Sequence, residues 1–199
     1  TSINVLPLGG EVHAGPFKVR YITLTHSIPE PNALALETPL GTILHTGDWK
    51  IDPDPQLGAS TDIEALTELG NQGVLAMVCD STNVFVEGES GSEGVVRDNL
   101  IELIGSLAGR IAVTTFASNV ARVASVIEAA RLAGRSVCLV GRSMHKITDA
   151  AVATGVIQDL PDLISEDQAG SLPDDNLLFL CTGSQGEPRA ALGRISRDD

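Results

Sequence analysis

The order of apolar and polar residues changes character partway along the chain. The early part reads as β structure. Phe17 to Thr25 (FKVRYITLT), Ala33 to Glu37 (ALALE) and Thr42 to His45 (TILH) are short runs rich in branched residues, and the Pro39-Leu40-Gly41 turn between the last two signals a hairpin. A short helix follows, with Thr61 or Asp62 as its cap, Ile63, Leu66 and Leu69 as its apolar stripe, and the Gly70 to Gly73 region as its stop. The continuous apolar run Val74 to Val78 then predicts a buried strand ending at Cys79-Asp80-Ser81-Thr82.

From about Val86 the rhythm becomes a strict alternation of helix and strand. Ser90 and Glu93 have capping-box spacing ahead of the amphipathic stretch Val95 to Leu107, although Gly94 weakens the start. Ile111 to Thr115 is a strand, Asn119 to Ala133 a strong helix closed by Gly134, and Val137 to Val140 another strand. Helix Met144 to Ala153, a loop containing Pro161 and Pro173, strand Leu177 to Cys181 and a helix from about Pro188 complete the series. Such alternation implies an α/β fold with a mainly parallel sheet flanked by helices. Thr1 enters without an obvious starting element, and GRISRDD stops in mid-pattern.

Composition narrows the class. With 199 residues, 43% of them hydrophobic, the chain is long enough to bury one good core or two small ones. No apolar run approaches the roughly 20 residues that span a bilayer, and the opening TSINVLPLGG lacks the features of a signal peptide, so the expected setting is cytoplasmic. Cys79, Cys138 and Cys181 are far apart and lie within or close apolar runs, which points to buried free thiols rather than a disulfide framework or a thiolate zinc site. A formal charge of −13 argues against a protein that coats nucleic acid through bulk electrostatics, but leaves room for a local basic groove.

Candidate chemistry lies at the strand ends, where loops and helix starts converge in an open parallel sheet. Four of these ends are small and polar: Asp80-Ser81-Thr82-Asn83, Thr115-Phe116-Ala117-Ser118-Asn119, Gly141-Arg142-Ser143 and Thr182-Gly183-Ser184-Gln185-Gly186-Glu187. Exposed backbone amides and helix starts there suit an anion such as phosphate, and Arg142 adds a guanidinium fork. Ser118 and Asn119 read equally well as ordinary helix caps, and a cap does not forbid contact with a ligand. His26 and Asp48 also end strands, and a neutral imidazole with a carboxylate suits a divalent metal. Two ligands do not make a site, however, and an isolated histidine is more often structural. His13, His45 and His145 have no ligand spacing.

Six strings, in order, resemble ribonuclease J, a member of the β-CASP branch of the metallo-β-lactamase superfamily. They are Thr25-His26-Ser27-Ile28-Pro29, Thr46-Gly47-Asp48-Trp49-Lys50, Asp80-Ser81-Thr82, Thr115-Phe116-Ala117-Ser118-Asn119, Gly141-Arg142-Ser143-Met144 and Cys181-Thr182-Gly183-Ser184-Gln185-Gly186-Glu187-Pro188. The resemblance implies a partial metallo-β-lactamase αββα segment over residues 1–86 and an incomplete β-CASP domain over 87–199. It also implies that His26 is a metal ligand, Asp48 a metal-bridging carboxylate and Asp80 the acidic residue of the first β-CASP motif, all three serving catalysis. Ser81, Thr82, Ser118, Asn119, Arg142, Ser143, Ser184, Gln185 and Glu187 would contact RNA phosphates.

The activity so implied is zinc-dependent hydrolysis of RNA phosphodiesters, endonucleolytic and 5′-to-3′ exonucleolytic, by a homo-oligomer with RNA-degradation partners. The His-x-His-x-Asp-His string that supplies most of the two-zinc site in the family is absent from this sequence, so the chain alone is expected to be inactive. Glu30 stands where the family more usually has Asp. Two rivals remain. A thioester- or β-lactam-cleaving hydrolase of the superfamily would share the His and Asp strings but lack the helix–strand series from Val86. A non-catalytic module would bind nucleotide or protein through the strand-end loops.

Overall fold

The computed structural model describes residues 3–197. The chain divides into two compact units, residues 1–26 with 30–92 and residues 27–29 with 93–199. Thr1 and Asp199, on which the reading of the chain's ends rests, lie outside the described residues.

The first unit is a mixed five-stranded sheet in the order β1-β2-β3-β4-β5. Its strands are β1 (Glu11–Ala14), β2 (Phe17–Thr23), β3 (Asn32–Thr38), β4 (Gly41–His45) and β5 (Ala76–Val78), and one helix, α1 (Ile63–Gln72), enters before β5. The first four pair antiparallel and β4 pairs β5 in parallel. The expected hairpin forms with Thr38 opposite Gly41. The Thr38 hydroxyl locks that turn, accepting from the Leu40 amide at 3.1 Å and donating to the Gly41 carbonyl at 2.7 Å.

Alternation in β2 and β3 turns Ile22, Ala33 and Ala35 to one face, where Leu69 of α1 covers them. Asp62 caps α1 by accepting the Ala65 amide at 2.9 Å, satisfying a backbone donor that the first turn leaves open. Two features of this unit depart from the sequence pattern. Strand β1 has no clear signal, because EVHA carries only one branched apolar residue. The run Val74 to Val78 does yield a strand, but β5 is exposed, Met77 at 60% and Val78 at 55%. An apolar run reports what a strand is able to bury, and here no neighbour among the described residues covers it.

The second unit is a parallel three-stranded sheet in the order β6-β8-β7, built from β6 (Ile111–Thr114), β7 (Ser136–Val140) and β8 (Leu177–Cys181). Its helices are α2 (Glu93–Ser106), α3 (Val120–Leu132), α4 (Arg142–Ala153), α5 (Glu166–Ala169) and α6 (Ala191–Ile195). One face of the sheet, carrying Val137, Leu139, Leu178 and Leu180, packs on Val123 and Val126 of α3 to make the larger core. Buried Arg135 donates to the carbonyls of Leu107 and Gly109, which fixes the turn that follows α2.

The opposite face is more open. Cys138, Leu177 and Phe179 meet Ala169 of α5 there, while Ala112 in the middle of β6 is exposed. The capping box expected at Ser90 fails by position. Helix α2 begins only at Glu93, beyond the place a cap at Ser90 requires, and the Glu93 carboxylate takes a two-pronged contact from Arg122 at 2.9 and 3.0 Å. A true capping box lies elsewhere, at Ser165 and Gln168 of α5, a helix inside the segment expected to be loop.

Candidate functional site

Within the first unit three polar segments are drawn together. Thr25 and Lys50 form an antiparallel bridge, with the Lys50 amide donating to the Thr25 carbonyl at 2.9 Å. His26 is the next residue after Thr25, and Asp48 lies two residues before Lys50, so the bridge brings the two predicted metal ligands onto facing backbone segments. Gly47, at φ 61° in the left-handed region, turns the chain between buried Thr46 and exposed Asp48. The third segment arrives from β5. The Asp80 amide donates to the Thr46 hydroxyl at 3.1 Å, and the Trp49 indole donates to the Asp80 carbonyl at 3.2 Å.

The Asp80 carboxylate accepts the Thr82 hydroxyl at 2.6 Å and the Thr82 amide at 3.0 Å. These two bonds stabilise its charged form and hold it below the usual aspartate range, helped by nearby His26 and by the Trp49 backbone amide. His26 is half-buried, whereas Ser81 and Thr82 are exposed. The Thr82 hydroxyl proton is spent on Asp80, and Ser81 donates to the Cys79 carbonyl at 3.3 Å. Among the described residues no three His, Cys, Asp or Glu side chains group as a metal ion requires. The predicted ligands His26 and Asp48 are therefore not joined by a third such side chain among the described residues.

Within the second unit the predicted anion-binding residues cluster at the carboxyl ends of β6, β7 and β8. Asn119 is buried and caps α3, its side-chain oxygen accepting the Arg122 amide at 3.0 Å, while Ser118 is exposed beside it. Helix α4 opens at Gly141 without a side-chain cap, leaving the Arg142 and Ser143 end of the helix to offer its amides. At the end of β8, Glu187 accepts the Gln185 amide at 3.0 Å, and Ser184 and Gln185 are exposed.

Helix α6 folds back over this end. The Leu192 amide donates to the Thr182 carbonyl at 3.0 Å, and the Ala191 amide to the Thr182 hydroxyl at 3.3 Å. Gly183, at φ 125°, permits the approach: a Cβ there would lie 2.7 Å from that of Leu192. Beneath α6, on the more open sheet face, is a cavity of about 1120 Å³ lined by Arg110, Arg142, His145, Arg189 and Arg194, with Glu166 also on its wall. Four of the chain's 13 basic residues line it, although the chain as a whole carries −13. Arg110 is engaged by Asp174 and stacks over Phe179, 5.9 Å from the ring centre. Arg142, Arg189 and Arg194 form no ion pair among the described residues.

Sequence reading finds Arg142 but misses Arg189 and Arg194. Their signal is the segment PRAALGRI, which is basic but carries meaning only once α6 has folded back. It also misses Thr25, Thr46 and Trp49, whose bonds tie the segments of the first unit together. Cys138 and Cys181 are buried free thiols, as expected, and burial pushes both thiols up; Cys79 is half-buried. Among the described residues no helix is long and apolar enough to cross a membrane.

Comparison with known proteins adds a lineage. Residues 108–199 match the family model described as "Ribonuclease J, beta-CASP domain". Ribonuclease J of Sinorhizobium meliloti is 48% identical over 99% of this chain, which spans 35% of that protein. The Corynebacterium glutamicum and Thermus thermophilus proteins of the same name are each 41% identical, over 92% and 89% of the chain, which spans 26% and 32% of their lengths. The chain thus covers about a third or less of these relatives. A solved structure of a protein of unknown function from Enterococcus faecalis V583 superposes with a TM-score of 0.62 over 90% of this chain and 44% of its own, at 16% identity, a likeness of fold alone.

Proposed function

Because residues 108–199 are a β-CASP domain of the ribonuclease J family and the match to ribonuclease J runs along nearly the whole chain, we propose that this chain is part of a metal-dependent ribonuclease acting in RNA processing and decay. In this reading residues 1–86 are the later portion of a metallo-β-lactamase segment, and residues 87–199 are an incomplete β-CASP domain. The reading is supported above all by the convergence of the His26, Asp48 and Asp80 segments through the Thr25–Lys50 bridge and the Thr46 hydroxyl.

His26 and Asp48 supply metal ligands to the full-length enzyme, with zinc as the ion and two ions per site; Asp80 lies beside them. The remaining ligands come from outside this chain, so no step of hydrolysis is assigned to the 199 residues alone. The part this chain plays by itself is RNA binding. Exposed Ser118 and Ser184, the open start of α4 at Arg142 and Ser143, and the arginine cavity offer donors to phosphate oxygens. Asn119 and Glu187 serve there by shaping their loops, since the side chain of each already accepts a backbone amide. Both endonucleolytic and 5′-to-3′ exonucleolytic cleavage, a cytoplasmic setting, a homo-oligomeric parent and RNA-degradation partners belong to the same reading.

The test is Asp48→Ala in the full-length enzyme. Cleavage of a 5′-phosphorylated RNA should fall by orders of magnitude while the fold, followed by circular dichroism, stays intact. The isolated chain supplied with zinc should not turn RNA over at all. Hydrolysis by the isolated chain that Asp48→Ala abolishes would overturn the division of labour proposed here, and full activity in the full-length variant would remove Asp48 from the site.

A further inference from the structure

We propose that Thr25 and Thr46 are positioning residues, whose buried hydroxyls hold the His26, Asp48 and Asp80 segments in the mutual register on which the site of the proposed nuclease depends. The inference rests on that functional reading for its catalytic consequence, but not for its geometry.

Both threonines are nearly sealed from water, Thr25 at 4% and Thr46 at 7% exposure. A buried hydroxyl must satisfy its donor and acceptor positions within the protein or forfeit the hydration it gave up. Thr25 does so across three separate stretches of chain. Its hydroxyl donates to the Lys50 carbonyl at 2.7 Å and accepts the Asp52 amide at 2.9 Å. It also lies 3.0 Å from the Thr61 hydroxyl, and since its only proton is spent on Lys50, Thr61 is the donor in that pair. One side chain thus ties the segment ending in His26 to the loop after Asp48 and to the entry of α1.

Thr46 performs the same office on the other side of Asp48. Its amide donates to the Val78 carbonyl at 3.0 Å, extending the β4–β5 ladder, while its hydroxyl donates to the Gly47 carbonyl at 2.8 Å and accepts the Asp80 amide at 3.1 Å. Asp48 is therefore bracketed by two threonines, one locking its loop to the His26 segment and the other to the Asp80 segment. Neither hydroxyl has a proton to spare for a substrate. Their contribution is geometric, and small displacements of a catalytic group are known to cost large factors in rate.

Valine matches threonine in shape without the hydroxyl, and serine keeps the hydroxyl without the methyl. Amide hydrogen exchange in the 199-residue chain separates them. In Thr46→Val the Asp80 amide should exchange about tenfold faster, the factor a single net hydrogen bond contributes, and in Thr25→Val the Asp52 amide should do likewise. Amides paired between β2 and β3, such as that of Ala33, should keep their protection. Thr46→Ser and Thr25→Ser should return the loops to wild-type exchange.

In the full-length enzyme the valine variants should lose kcat at unchanged KM for RNA, and the serine variants should regain it. If a valine variant fails to fold, the serine variant at that position and the pair at the other threonine decide the matter. Unaltered exchange at Asp52 and Asp80 in the valine variants, or serine variants that behave like valine, would overturn the proposal. Altered exchange with unchanged kcat would overturn the catalytic role. A wild-type full-length protein that does not cleave RNA would instead defeat the functional reading, and the exchange result would still decide whether the threonines set the register.

Discussion

The two units of this molecule position their polar groups by different physical means. In the first, a mixed, largely antiparallel sheet with a small core of Ile22, Ala33, Ala35 and Leu69 leaves its loops to be fixed by side-chain bonds between segments far apart in sequence, such as Thr25 to Lys50 and Thr46 to Asp80. In the second, a parallel sheet backed by α3 delivers its polar loops as a direct result of topology, since all three strands run the same way, end on the same side and lead through a loop into a helix. The first arrangement depends on a few directed bonds; the second depends on bulk packing. Removing one hydroxyl should therefore disturb the first locally, whereas the second should fail only when its core fails.

The sharpest way to break this comparison is a pair of truncations. Leu178→Ala removes a fully buried side chain from β8, the central strand of its sheet, and should cost about 2–5 kcal/mol in the unfolding of the second unit. Met77→Ala, on a strand residue of similar apolar size that is 60% exposed, should change stability by no more than about 0.5 kcal/mol. Urea denaturation followed separately in each unit checks both values, and comparable costs would mean that β5 is packed as tightly as β8.

Binding offers the next distinction. Arg142→Ala and Arg189→Ala in the second unit should each weaken association with single-stranded RNA and lower the slope of log K against log salt by about 0.7 for each phosphate left without its arginine. Filter binding at several salt concentrations measures this, and unchanged slopes would remove the cavity from the RNA path. A smaller effect than either of these returns to the first unit and concerns its backbone. Glu30 is exposed at φ 51°, a conformation that costs a side chain with a Cβ about 1–2 kcal/mol but that Asn tolerates. Glu30→Asn should recover about 0.5–1 kcal/mol of that strain, seen as a raised urea midpoint for that unit.

How far the residues foretell the structure follows the same divide. The second unit is legible because its signals are local: Asn119 caps α3, and β8 spans Leu177–Cys181 as the apolar run predicts. Helix α5 escapes notice because it has only four residues in a proline-flanked stretch. The Ser90 box misleads because α2 begins only at Glu93, which leaves Ser90 outside its first turn, and the Glu93 carboxylate is engaged by Arg122, 29 positions away. In the first unit, strands and hairpin are readable from alternation and turn chemistry, but burial of β5 is not, because exposure depends on what lies alongside. The ligand candidates His26 and Asp48 stand out through resemblance. The threonines that hold their loops do not, because a hydroxyl in a strand-end sequence carries no mark of the carbonyl it will meet 25 residues later.

The three cysteines give the chain an intrinsic readout of these two modes of construction. Cys138 and Cys181 are sealed within the second unit, and burial disfavours their thiolates, so a thiol-specific reagent reaches them only when that unit opens. Cys79 is half-buried in the first, next to Asp80, with its thiol directed to the Asp80 carbonyl at 3.3 Å. Labelling kinetics on the unaltered protein should thus resolve into a fast and a slow class. The fast class clocks local loosening beside Asp80, and the slow class clocks cooperative unfolding of the parallel sheet, without a single engineered probe.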